Sequence, residues 1–71
     1  MRQEEAYRIL REHGPMTVGQ LLRVAYPDAS ESRIASMRSN AWARLHQLSV
    51  KGQVGYESRA RGTENLWWVV E

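Results

Sequence analysis

The sequence predicts an α+β domain in which three helices are followed by a β-hairpin. Apolar residues recur at spacings of three and four as far as Leu48, whereas beyond Gly52 they alternate along short runs. Proline, glycine and hydroxyl residues stand where helices should stop and start. A chain of 71 residues without cysteine makes one domain, whose core must come from aliphatic and aromatic side chains alone. So short a chain buries a modest share of its surface. Its three tryptophans therefore matter, since each can remove roughly 200 Å² from water.

The first helix is expected over residues 2–13. Ala6, Ile9, Leu10 and His13 share one face, and Glu4 and Glu5 stand in the first turn, where the helix dipole favours acids. Gly14 suits the left-handed position after the last turn, Pro15 prevents continuation, and His13 is expected to meet the final carbonyls. A second, short helix is expected over residues 18–25. Thr17 and Gln20 have capping-box spacing, and Met16 and Leu21 have that of a hydrophobic staple. Tyr26-Pro27 ends it.

The third helix is expected over residues 31–51, with Ser30 or Ser32 as its cap and Gly52 closing it. Ile34, Met37, Ala41, Leu45 and Leu48 form its apolar stripe, with Trp42 and Arg38 on one edge. The opposite face collects Ser36, Ser39, Ala43 and Gln47, and Asn40, Arg33 and Arg44 run along one flank. Strands are expected at about 53–57 and 65–70, joined by the polar run "SRARGTE". Alternation puts Val54 and Tyr56 on one face; in the second strand it separates Leu66, Trp68 and Val70 from Trp67 and Val69. Trp68 is expected in the core and Trp67 on the surface.

Charge is unevenly distributed. Residues 1–31 carry four arginines and five acids, a net −1, whereas residues 32–62 carry Arg33, Arg38, Arg44, Lys51, Arg59 and Arg61 against Glu57 alone, a net +5. A basic second half suits a polyanionic partner. No apolar run approaches the ~18 residues of a membrane span, and "MRQEEAYRIL" lacks a signal-peptide apolar region, so no membrane role and a cytoplasmic location are expected. His13 and His46 stand apart from any paired carboxylates, and no phosphate-cradling glycine motif occurs. Neither an enzyme, a cofactor nor a metal site is expected.

The stretches "PMTVGQLL", "ARLHQLSVKGQV" and "GYESRARGTENLWWVV" give the chain, over nearly its whole length, a resemblance to the winged helix-turn-helix domains, most of all the small ones of bacteria and phages. The segment from Tyr26 to Met37 is longer than a tight helix-turn-helix linker. Either the loop is extended or the third helix begins early.

The resemblance implies a DNA-binding protein, a small transcriptional regulator or architectural accessory factor. Its third helix would enter the major groove of double-stranded DNA, and its wing would lie on the backbone or in the minor groove. Ser36, Ser39, Asn40, Ala43, Arg44 and Gln47 are then the candidate base contacts. Short side chains permit close approach, Asn and Gln pair with adenine, and Arg pairs with guanine. No acid occurs between Arg33 and Ser49, although a merely solvated helix face usually carries Glu beside Lys. Thr17, Arg33, Lys51, Arg59 and Arg61 are the candidate backbone contacts, Thr17 doubling as a plain helix cap. A homodimer or protein partner is a further expectation, using Trp67, Val69 or the first helix. The alternatives are an adaptor that captures a protein through an exposed Trp67, and RNA binding by the same basic face.

Overall fold

The computed structural model describes residues 1–58 and 65–71. Helix α1 (Gln3–His13), helix α2 (Val18–Ala25) and helix α3 (Glu31–Val50) precede strands β1 (Val54–Glu57) and β2 (Leu66–Val69). The two strands pair antiparallel. This is an α+β layout consistent with a winged helix.

Local chemistry sets the helix boundaries. Gly14 follows α1 at φ 84° and donates its N–H to Leu10 O. His13 is exposed and, among the described residues, makes no hydrogen bond to the final carbonyls, so its expected capping role is not realised. Thr17 and Gln20 form the full reciprocal box: Gln20 N–H donates to Thr17 Oγ1 at 3.2 Å, and Thr17 N–H donates to Gln20 Oε1 at 3.0 Å. Such a cap contributes about 1 kcal/mol. Met16 and Leu21 are both buried, as a staple requires.

Of the two routes left open for the long segment after Tyr26, the helix begins early. Ser30 caps it, accepting from Arg33 N–H at 3.2 Å, and Glu31 already lies in the first turn. Arg23 of α2 pairs with Glu31 at 2.7 Å across the corner. The far end closes in a Schellman arrangement. Gly52, at φ 78°, donates to Ser49 O, and Gln53 N–H donates to Leu48 O. Only glycine takes that conformation without strain.

The core gathers Ala6, Ile9 and Leu10 of α1, Val18, Leu21 and Leu22 of α2, and Ile34, Ala41, Leu45 and Leu48 of α3. Met16, Val54 and Trp67 complete it. Met37 is half-buried at its margin.

The hairpin corrects the expected assignment of the two tryptophans. Trp67 is 1% exposed and is the largest fully buried side chain, whereas Trp68 is only half-buried. Alternation holds, but the inward face is the other one. Register decides the matter. Val54 pairs with Val69 and Tyr56 with Trp67, so buried Val54 brings the odd-numbered residues of β2 inward with it. Backbone pairing on the far side of β2 fixes the same residue. Trp67 N–H donates to Met16 O at 2.8 Å and Met16 N–H donates to Trp67 O at 2.9 Å, so Met16 acts as a one-residue third strand. Trp68 lies on the outer face over its cross-strand partner Gly55. A Cβ at Gly55 would stand 3.0 Å from Trp68 Nε1, so the missing side chain lets the indole cross the strand.

Candidate nucleic-acid interface

Helix α3 spans twenty residues, about 30 Å at 1.5 Å per residue. Its buried stripe faces α1 and α2, leaving the opposite face to solvent. Ser36, Ser39, Asn40, Ala43 and Gln47 are all exposed, and Val50 continues the same face. The face is uncharged and mostly short-chained. Ser36 has its hydroxyl directed back along the helix, donating to Arg33 O at 2.9 Å, so its oxygen lone pairs remain for a ligand donor.

The two flanks of this face differ in chemistry. On one side the hairpin packs against α3 and an aromatic wall rises. Trp42 and His46, one turn apart, stack with ring centroids 5.0 Å apart and planes 6° apart. Trp42 also meets Trp67 edge-on at 6.5 Å, and Tyr56 of β1 covers Trp67 at 4.9 Å. Trp42 and Tyr56 remain 47% and 46% exposed, so the wall is open to solvent although Trp67 beneath it is not. The Trp67 indole Nε1 is buried among these rings and has no hydrogen-bond partner among the described residues.

The other flank is cationic. Arg33 is exposed in the first turns, Arg44 is half-buried further along, and Lys51 caps the helix. None of the three has a carboxylate within ion-pairing distance among the described residues. Their positions, roughly one side of the helical wheel, agree with the expected flank. What the wheel did not show is the neighbour: the start of α1 lies against this side. Lys51 Nζ donates to Gln3 Oε1 at 2.9 Å, and the Met1 amino group reaches Asn40 Oδ1 at 3.5 Å.

The expected base contacts therefore fall into two groups. Ser36, Ser39, Ala43 and Gln47 occupy the open face. Arg44 leans toward α1, and Asn40 stands at the border with its side-chain carbonyl already engaged. Thr17 is the cap it resembled: its hydroxyl is taken by Gln20 N–H, which leaves the Val18 and Gly19 N–H groups for an anion, and both residues are buried. Arg59 and Arg61 lie outside the described residues. Arg38 is half-buried by the core stripe and already engaged in an interaction.

Among the described residues, no cluster of three or more His, Cys, Asp or Glu is placed to hold a metal ion, and no helix is long and apolar enough to cross a membrane. No protein-family model matches the chain, and neither does any curated protein or solved structure.

Proposed function

We propose that this protein binds double-stranded DNA, with the exposed face of α3 in the major groove. The observation that carries the reading is the composition of that face. Ser36, Ser39, Ala43 and Gln47 present small or amide-bearing side chains over more than two turns, with no acid between Arg33 and Ser49. Short side chains let the helix approach base edges, and glutamine can pair with adenine. Arg33, Arg44 and Lys51 border the face without carboxylate partners among the described residues, free to meet phosphates. Within this reading the hairpin is the wing, and Arg59 and Arg61 in its connecting segment join the backbone contacts. The regulatory role is that of a small transcriptional regulator or architectural factor.

Burial of Trp67 removes the feature that favoured a protein adaptor. A single small module has little contact area with DNA, about 600–1,000 Å². Binding as a homodimer or beside a second protein is accordingly part of the proposal.

The test is affinity for a random-sequence duplex as salt is raised. Five phosphate contacts, from Arg33, Arg44, Lys51, Arg59 and Arg61, predict a slope of log K against log salt near −4.5, at about −0.9 per contact. Absence of binding at low ionic strength, or binding indifferent to salt, rejects the reading.

A further inference from the structure

The start of α1 and the second half of α3 enclose an open recess of about 620 Å³, lined by Arg2, Arg44 and Lys51 together with Glu4, Tyr7 and Gln53 among others. Three of these side chains are cations and one is an acid. At the α1 N-cap position, Arg2 accepts from Ala6 N–H through its backbone carbonyl, while its side chain makes no cap hydrogen bond. Among the described residues neither Arg2, Arg44 nor Lys51 has a carboxylate partner within 4.0 Å, Glu4 included. Like charges gathered around one concavity repel one another, and the low-dielectric walls concentrate their field. The arrangement is maintained by structure. Arg44 is half-buried where it leaves α3, and Lys51 is tethered by its hydrogen bond to Gln3 Oε1. That bond uses one of three ammonium donors, and the guanidinium groups of Arg2 and Arg44 retain theirs.

We infer that this recess is a phosphate-binding site, formed jointly by α1 and α3 on the flank of α3 opposite Trp42 and His46. Its natural occupant is a phosphodiester of the DNA backbone, an identification that rests on the DNA-binding reading above. The volume lies within the ~300–1,000 Å³ of ordinary ligand pockets. It admits a length of sugar-phosphate strand as well as an isolated ion. Forked guanidinium groups suit phosphate oxygens, and the ammonium serves as a mobile point charge between them. The site extends the grip on DNA to Arg2, which lies outside the basic second half of the sequence. It also seats the phosphate contact of Arg44 in a defined recess beside α1.

Two titrations test this with the full chain. In the first, a triple variant Arg2→Ala, Arg44→Gln, Lys51→Ala is compared with the unsubstituted protein on a random duplex across salt. With Arg2 added the contacts number six and the slope of the unsubstituted protein should lie near −5.4; loss of three should reduce it by about 2.7 and leave the far-ultraviolet circular dichroism unchanged. Arg2→Ala alone, at an exposed position, should reduce the slope by about 0.9 and serves if the triple variant does not fold. A triple variant that folds and loses no more than the ~1.8 due to Arg44 and Lys51 alone overturns the site. The second titration uses inorganic phosphate and follows the side-chain resonances of Arg2, Arg44 and Lys51 by NMR. Saturable shifts at all three are expected. Their absence overturns the site, whatever the DNA result. Saturable shifts in a protein that fails to bind duplex would keep the recess as an anion site and reject the DNA reading.

Discussion

Trp67→Ala is expected to bring this domain to the edge of unfolding, whereas Trp68→Ala should leave it folded. Trp67 is fully buried between α3 and β1, in contact with the Trp42 and Tyr56 rings, and its backbone joins β2 to Met16. Truncating a buried tryptophan costs about 3–5 kcal/mol once the cavity is included. A chain of 71 residues has a total stability of about 4–11 kcal/mol, at ~0.05–0.15 kcal/mol per residue. The loss is therefore comparable to the whole. Trp68 is half-buried on the outer face and lies across Gly55, outside the core, so its removal should cost about 1 kcal/mol. Trp67→Phe supplies an intermediate case. It preserves an aromatic ring in the core and removes the unpartnered indole N–H, whose burial is itself unfavourable by about 1–3 kcal/mol. Urea denaturation followed by circular dichroism orders the three variants: Trp67→Ala least stable, Trp67→Phe between, Trp68→Ala nearest the original. Equal losses for Trp67→Ala and Trp68→Ala would refute the face assignment.

The second large effect is expected at Ala43. It lies at the centre of the open face of α3, exposed and opposite the buried stripe. Glutamate is a good helix former, so Ala43→Glu should change stability by no more than about 0.5 kcal/mol. Against a major groove walled by phosphates, the new carboxylate would be a like charge at close range, an unfavourable contact of several kcal/mol. Duplex affinity should fall by about 100-fold or more, equivalent to ~3 kcal/mol. Ala43→Gln, equal in bulk and uncharged, separates charge from size and should lose far less. Unaltered binding by Ala43→Glu would place the DNA elsewhere on the protein.

The helix boundaries were legible because they are local. Thr17 with Gln20, Ser30 before Glu31, and Gly52 after Lys51 each settle a terminus through partners within a few residues. The apolar stripe of α3 was legible for the same reason, since side chains three and four apart must share a face. The hairpin was not. Alternation divides Trp67 from Trp68 but does not say which faces inward. That depends on whether an even or odd partner pairs with Val54, and a one-residue slip in the connecting segment reverses it. The bridge from Met16 to Trp67 settles the question, yet one residue paired across some fifty positions leaves no periodic trace. Likewise the helical wheel put Arg44 and Lys51 on one flank, whereas the docking of Arg2 and Gln3 beside them is a tertiary fact. Trp42 and His46 were four apart in the sequence; their stacking into a wall required the hairpin beneath.

The most direct measurement is backbone amide chemical-shift mapping during titration with a DNA duplex at low salt. The largest perturbations should run along Ser36, Ser39, Ala43 and Gln47, with a second group at Arg2, Arg44 and Lys51. Perturbations that leave all of α3 unmoved, or no perturbation at all, would contradict DNA binding by this face.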